Sequence, residues 1–240
     1  MRRPGNSLMA ECDHGRLGMT RVMDILLSGL FILAGLPVWA IVIPVLRFTG
    51  EGEVFYRQPR VGKGGEHFDL LKFATMLKNS PSIGSGDLTL HNDPRVLPVG
   101  RVLRKTKINE LPQLLNVWKG EMSIVGPRPQ TPRIFALYPD HVQRELKHLR
   151  PGLSGIGPII FRGEDRMMQD ADDPQAFYAD VIMPYKGEVE RWYLDHRSLR
   201  TYFMVIFLTI WVIVFSKSRI AWQCFPDLPE PPKELERSWA

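Results

Sequence analysis

The sequence predicts an α+β fold: a compact, mostly helical domain that carries a small β-hairpin and an apolar N-terminal helix. Three observations lead to this prediction. An uncharged apolar run fills residues 25–46, two strand-like segments flank a glycine-rich turn, and apolar residues recur at helical spacing after Val102. With 240 residues, of which 44% are hydrophobic and 24% charged, the chain is long enough to bury one substantial core.

The charge balance restricts the partners. A formal net charge of +5 and a pI near 9.3 favour anionic partners, namely phosphorylated metabolites, acidic lipid headgroups or nucleic acid. No nucleic-acid partner is expected, because the chain carries no recognisable nucleic-acid module. Cys12 and Cys224 lie far apart in the sequence, so they indicate neither a disulfide framework nor a zinc site.

The N-terminal region divides into two parts. Residues 1–18 are polar and are expected to be flexible, whereas residues 19–48 contain an apolar run of about 22 residues, long enough for a membrane helix. Pro37 interrupts this run near its middle, and basic residues on both flanks would keep both ends on the cytoplasmic face. A re-entrant helix satisfies both observations and a kinked span satisfies the length, so the residues alone leave both open.

Residues 49–200 are expected to form the main domain. It begins with strands at 53–58 and 67–76, which the turn at 59–65 joins into a hairpin. The polar, glycine- and proline-containing residues 80–100 predict a long surface loop that borders a site. Helical spacing then predicts helices at 102–115, 117–120, 139–149 and 174–192, with breaks at Pro112 and Pro184.

The C-terminal part is expected to contain an apolar helix and a tail. Residues 201–222 hold an apolar run of about 14 residues, which fits an interfacial helix or a buried packing helix equally well. Its surface is suited to a membrane contact or to a homodimer. Residues 223–240 are rich in proline and acidic side chains and are expected to be extended or disordered.

Residues 107–129 carry the strongest chemical signal. Asn109 and Glu110 precede a helix-like stretch that closes on Gly-Pro-Arg-Pro, with Arg128 between the two prolines. A lone glutamate at a helix start is usually a surface residue, and a lone asparagine is usually a cap. Here, however, positive charge lies just before them at Arg104, Lys105 and Lys107. A carboxylate beside a rigid arginine suits nucleophilic or metal-binding chemistry on a phosphate, so the segment indicates phosphoryl transfer.

A series of short motifs along the chain resembles the bacterial sugar transferase family, the monotopic polyprenyl-phosphate phosphoglycosyl transferases of the small single-domain type. The motifs are RVMD at 21–24, QPRVG at 58–62, KFATM at 72–76, DPRV at 93–96, NELPQ at 109–113, KGEMS at 119–123, GPRP at 126–129 and RPG at 150–152. The resemblance implies a re-entrant membrane helix that breaks at Pro37. It also implies a catalytic domain on the cytoplasmic face of the bacterial inner membrane, in contact with inner-membrane lipids.

The resemblance also implies a reaction. An acidic residue attacks the β-phosphate of a UDP-sugar and releases UMP, and undecaprenyl phosphate then accepts the sugar phosphate, with Mg²⁺ as cofactor. Glu110 and Asn109 fall on the catalytic and metal-binding positions. The phosphate-binding residues are expected to be Arg104, Arg128, Arg162, Arg60, Lys72 and Arg150. Such reactions start exopolysaccharide, lipopolysaccharide or capsule assembly.

One departure from the family concerns the mechanism. The family's nucleophile falls on Asn109, whose amide is a far poorer nucleophile than a carboxylate. Glu110 could take over covalent catalysis, both residues could share a metal-bound site, or the chain could be an impaired member that acts as a membrane binding partner. We expect a working transferase in which Glu110 is essential, because the other phosphate-binding residues are present.

Overall fold

The structure is a computed structural model that describes residues 6–83, 93–168, 171–215 and 219–236. Its strands are β1 (Phe55–Val61), β2 (His67–Phe73), β3 (Ser123–Val125) and β4 (Gly152–Ser154). Its α-helices are α1 (Asn6–Phe48), α2 (Pro98–Lys105), α3 (Gln113–Lys119), α4 (Pro132–Phe135), α5 (Asp140–Leu146), α6 (Ile156–Ile160), α7 (Glu164–Met167), α8 (Pro174–Phe177), α9 (Met183–Asp195), α10 (Leu199–Val214), α11 (Ile220–Cys224) and α12 (Lys233–Glu236). The predicted α+β fold class is confirmed.

Helix α1 is continuous from Asn6 to Phe48, with Pro37 and Pro44 inside it. The break predicted at Pro37 is therefore not confirmed, since a proline removes one helix hydrogen bond and bends a helix without having to end it. The helix also covers most of the segment that the sequence predicts to be flexible. From Gly18 onward it is long and apolar enough to cross a membrane.

Two side chains fasten α1 to the domain. Arg21 donates to two backbone carbonyls at the end of α3, at 2.6 and 2.8 Å. Asp24 is 2% exposed and accepts hydrogen bonds from the Ser123 hydroxyl, the Ile124 amide and the Tyr202 hydroxyl at 2.8 to 2.9 Å. The first turns of the apolar helix are thus tied to α3, β3 and α10.

The predicted hairpin is confirmed, because β1 and β2 pair antiparallel with Phe55 opposite Phe73. Asn116 of α3 lies against this hairpin: its amide nitrogen donates to the Asp69 carbonyl, and its amide oxygen accepts from the Leu71 amide. A second sheet, in which β3 and β4 run parallel, was not predicted. Its strands are three residues long, too short for a periodic pattern to reveal.

The helices differ from the prediction mainly at their ends. Gly120 ends α3 in a left-handed conformation, as expected. The helix predicted at 102–115 is instead α2 followed by a 3₁₀ turn, Ile108–Glu110, because Lys107 is itself left-handed with φ 61°. The break predicted near Pro184 is a π-helical turn, Tyr178–Ile182, which joins α8 to α9.

The predicted loop at 80–100 lies partly outside the described residues, since positions 84–92 are not described. Its described ends are held by Arg95, which is 4% exposed. Arg95 pairs with Asp93 at 2.6 Å and donates to the carbonyls of Ser80 and Ile83. The DPR motif therefore closes this loop rather than lining a site.

The C-terminal helix α10 packs on one face and is exposed on the other. Val205 and Leu208 are fully buried, whereas Phe207 and Ile210 are exposed. One face of the helix thus packs against the domain, and apolar side chains on the other are exposed. The following tail, expected to be extended or disordered, is packed as far as Leu235, because Leu228 and Leu235 are buried. Asp227 also accepts a hydrogen bond from the Trp192 indole at 3.0 Å.

Candidate active site

A cleft of about 1070 Å³ lies between the hairpin, the 3₁₀ turn, the Gly-Pro-Arg-Pro turn and helices α6, α7 and α10. The lining of this cleft includes a set of cationic side chains and a set of apolar ones. The cationic set includes Arg60, Lys72, Arg104, Lys107, Arg128 and Arg162. The apolar set comes largely from α10 and includes Ile206, Ile210 and Ile213. The structure therefore brings positive charge and apolar surface together in one cleft.

Glu110 lies among these cations. Its Oε1 is 3.8 Å from an Arg128 nitrogen and 4.0 Å from Lys107 Nζ, and its side chain is 17% exposed. Burial alone would raise the pKa of Glu110, but the nearby positive charges outweigh burial and hold this pKa below its ordinary value. These charges are, in decreasing order of effect, Arg128, Lys107, Lys72 and Arg104. Glu110 is consequently a carboxylate at neutral pH.

Asn109 also faces the cleft and is 5% exposed. Its amide oxygen is buried without a hydrogen-bond partner among the described residues, so the side chain does not act as a helix cap there. A buried oxygen without a partner costs free energy, which favours a ligand at this position. Together with the Glu110 carboxylate it provides oxygen ligands of the kind that Mg²⁺ uses beside substrate phosphates. The described residues contain no group of three or more His, Cys, Asp or Glu side chains that could hold a metal ion, so Mg²⁺ bound here would take most of its ligands from the phosphates of a substrate.

The Gly-Pro-Arg-Pro turn is fixed by close backbone packing. A Cβ on Gly126 would come within 2.6 Å of the Arg150 carbonyl oxygen, so only glycine fits there without a shift. The Gly152 amide donates to the Pro127 carbonyl at 2.7 Å. Arg150 supports the turn through its backbone, and the structure does not bring it to the cleft with the other predicted phosphate-binding residues.

The remaining predicted cations reach the cleft in different ways. Arg60 donates to the Pro129 carbonyl at 2.9 Å and so supports the same turn. Burial, followed by the positive charge of Arg60, lowers the pKa of Lys72 well below its ordinary value. Arg104 contacts the Met76 sulfur. Arg162 has no ion pair among the described residues, and burial lowers the pKa of its guanidinium group. The cations named here outnumber the carboxylates that pair with them, and this excess positive charge is expected to favour a phosphate ligand.

Three functional candidates escaped the sequence reasoning: Glu164, Lys186 and Glu190. Lys186 is 2% exposed, and its Nζ is 2.7 Å from Glu164 Oε1. Glu190 is fully buried, and one of its oxygens accepts a hydrogen bond from the Arg128 amide at 3.2 Å. Their spacing in the sequence could have revealed two of them. Lys186 and Glu190 share one face of α9 with Met183, and two charged side chains on a face that packs into the core are unusual enough to indicate a specific role.

Glu190 leads to a prediction on pH and stability. Burial raises the pKa of Glu190 to about 7, so between roughly pH 5 and 7 the folded protein holds a proton that the unfolded chain has released. The free energy of unfolding should therefore fall by about 3 kcal/mol from this group as the pH rises from 5 to 8. Glu190→Gln keeps an acceptor for the Arg128 amide and should remove this fall. Urea unfolding at both pH values measures it, and an unchanged difference between them would contradict the assignment.

Comparison with known proteins identifies the family. The family model described as bacterial sugar transferase matches residues 15–216. The chain belongs to the bacterial sugar transferase family. This sugar transferase is 32% identical to the exopolysaccharide production protein ExoY of Sinorhizobium fredii over 211 residues, which cover 82% of this chain and 86% of that relative.

Two further relatives carry names that state a reaction. The UDP-N-acetylgalactosamine-undecaprenyl-phosphate N-acetylgalactosaminephosphotransferase of Aeromonas hydrophila is 34% identical over 81% of this chain. The undecaprenyl-phosphate glucose phosphotransferase of Komagataeibacter xylinus is 32% identical over 82% of it. The matches cover 43% and 36% of those longer proteins, so this sugar transferase corresponds to part of each.

Proposed function

We propose that this sugar transferase moves a sugar-1-phosphate from a UDP-sugar to undecaprenyl phosphate, releases UMP and starts the assembly of a surface polysaccharide. The observation that carries the proposal is the position of Glu110, an ionised carboxylate held among several cations in a cleft that also has apolar lining residues. The cations suit the diphosphate of a nucleotide sugar. The apolar residues suit the hydrocarbon of a polyprenyl phosphate. Relatives named for this reaction support the same assignment.

The chemistry follows from the charge state of Glu110. A Glu110 oxygen attacks the β-phosphorus, the bond from that phosphorus to the bridging oxygen breaks, and UMP leaves with the electron pair. An oxygen of undecaprenyl phosphate then attacks the same phosphorus and restores the carboxylate. Because Glu110 is already ionised, no proton has to be removed before the attack. Arg128 and Lys107 offset the charge that develops on the phosphate oxygens.

Mg²⁺ enters the proposal as the cofactor. When bound, it would neutralise charge on the diphosphate. Glu110 and the amide oxygen of Asn109 would be its protein ligands, and the phosphates would complete the coordination. In this arrangement the uncharged Asn109 amide would serve as a ligand and not as the nucleophile, which explains how an amide is compatible with a working site.

We infer from helix α1 that this chemistry takes place at a membrane. Its apolar side chains are largely exposed, among them Leu26, Leu30 and Ile41, while Phe31 lines the cleft. We assign the domain to the cytoplasmic face of the inner membrane, because basic residues flank the apolar segment on both sides. The same charges favour a re-entrant course for α1 in the membrane, which would require the helix to bend at Pro37. The cleft then opens both to soluble nucleotide and to lipid.

Purified protein tests the proposed function. In detergent with Mg²⁺, undecaprenyl phosphate and a panel of UDP-sugars, it should release UMP with at least one sugar, and omission of undecaprenyl phosphate should stop turnover. Well-folded protein that releases no UMP with any sugar would contradict the proposal. Binding of a UDP-sugar without turnover, together with activity restored by Asn109→Asp, would instead show an impaired member that serves as a binding partner.

A further inference from the structure

The pair formed by Glu164 and Lys186 lies in the cleft but has no part in the chemistry proposed so far. Lys186 reaches it from α9, and its ammonium group lies 5.3 Å from the centre of the Phe161 ring and 5.6 Å from that of Tyr178. Such packing and the 2.7 Å ion pair hold Lys186 in one position. Lys186 in turn holds one oxygen of Glu164, whose side chain remains 25% exposed.

A carboxylate is out of place in a site built to bind phosphate. Glu164 repels phosphate oxygens, so it suits a part of the ligand that is uncharged and rich in hydrogen-bond donors. The buried partner, Lys186, pairs with Glu164 Oε1, and the Glu164 side chain stays partly exposed in the cleft, where it can accept hydrogen bonds from a ligand. The pair as a whole is neutral and offers an acceptor at a fixed position.

The pair is also connected to the reacting end of the cleft. Glu190 lies one helical turn after Lys186 on α9 and binds the Arg128 amide at 3.2 Å. The Arg128 guanidinium, on the same residue, lies 3.8 Å from Glu110. Arg128 therefore contacts Glu110 through its side chain and α9 through its backbone, and Glu110, Arg128, Lys186 and Glu164 all line the same cleft.

We propose that Glu164, held by Lys186, is the subsite that binds the hydroxyl groups of the donor sugar. This inference rests on the proposed function, because it takes the donor to be a UDP-sugar. The sugar offers several hydroxyl donors and is bonded to the phosphorus that Glu110 attacks. Uracil is a poorer match, since it offers one N–H donor between two carbonyl oxygens that a carboxylate would repel.

The test compares binding of UDP-sugar with binding of UDP, by calorimetry in protein that carries Glu110→Gln, because the unaltered protein would react with the UDP-sugar. Added to this parent, Glu164→Gln should weaken UDP-sugar binding by roughly tenfold and leave UDP binding unchanged. Glu145→Gln is the matched control, because Glu145 also forms a 2.8 Å ion pair, with Arg191, but does not line the cleft. The control should bind both ligands as the Glu110→Gln parent does.

A second variant guards against misfolding. Glu164→Asp keeps the negative charge near Lys186 but shortens the side chain by one methylene group. It should therefore also weaken UDP-sugar binding relative to UDP binding, and the melting temperature of the protein should not change. Equal weakening of UDP and UDP-sugar, or no change in either beyond a lower melting temperature, would overturn the subsite. If the protein releases UMP but the Glu164 variants bind UDP-sugar and UDP in the same ratio as their parent, only the sugar subsite is rejected. If the Glu164 variants weaken UDP-sugar binding selectively but the protein releases no UMP, only the transfer reaction is rejected.

Discussion

Glu110→Gln is expected to lower the rate of UMP release by at least about a thousandfold, because it removes the only attacking carboxylate that we assign to the reaction. The substitution keeps the size of the side chain. It also removes the negative charge that Arg128 and Lys107 neutralise, so UDP-sugar binding should persist or tighten. The measurement is UMP release at saturating UDP-sugar, with UDP-sugar affinity determined separately.

Asn109→Ala is the matched comparison for Glu110→Gln. It removes the amide oxygen that has no hydrogen-bond partner among the described residues. We expect the rate to fall by only about tenfold, because Mg²⁺ bound to the phosphates would lose one of its several ligands. A larger loss from Asn109→Ala than from Glu110→Gln would show that the amide position carries the chemistry. The assignment of Glu110 would then be wrong.

Asp24→Ala is expected to have the largest effect on stability, a loss of about 3–5 kcal/mol in the free energy of unfolding. Asp24 accepts hydrogen bonds from Ser123, Ile124 and Tyr202, and its removal would leave these donors buried without an acceptor. Helix α1 should then separate from β3 and α10. Denaturation in detergent, followed by tryptophan fluorescence, measures the loss.

The control for Asp24→Ala is Asp195→Ala at the exposed end of α9, which should change stability by less than about 0.5 kcal/mol. Asp24→Asn keeps one acceptor oxygen and should fall between the two. A change of less than 1 kcal/mol for Asp24→Ala, on the order of one ordinary hydrogen bond, would show that α1 is held chiefly by its apolar contacts instead.

The features that the sequence predicted well are those set by local chemistry. The turn at 59–65 needs positive φ at Gly64 and Gly65, and Gly120 ends α3 for the same reason. The second sheet was missed because its strands are short and their pairing joins Ser123 to Gly152, which lie far apart in the chain. The continuous course of α1 was missed because proline disfavours, but does not forbid, a helix interior.

The site was also predicted only in part, because some of its residues are marked by local motifs and others are not. Lys72 and Arg128 belong to recognisable motifs, and the fold brings them, together with Arg104 and Arg162, to one cleft with Glu110. The roles of Glu164, Lys186 and Glu190 depend instead on contacts between distant segments. The Arg128 amide and Glu190 are 62 positions apart, and no local pattern encodes that hydrogen bond. Arg150 shows the converse, since its motif is clear but its contribution to the turn is made by the backbone.

Mass spectrometry of the protein after rapid mixing with a UDP-sugar, in the absence of undecaprenyl phosphate, tests the role of Glu110 most directly. We expect a mass increase of one sugar phosphate and its location, after digestion, on the peptide that contains Glu110. Glu110→Gln should show no increase, and added undecaprenyl phosphate should remove it from the unaltered protein. A sugar phosphate attached to another residue, or transfer at the full rate with no adduct at any time, would contradict covalent catalysis by Glu110.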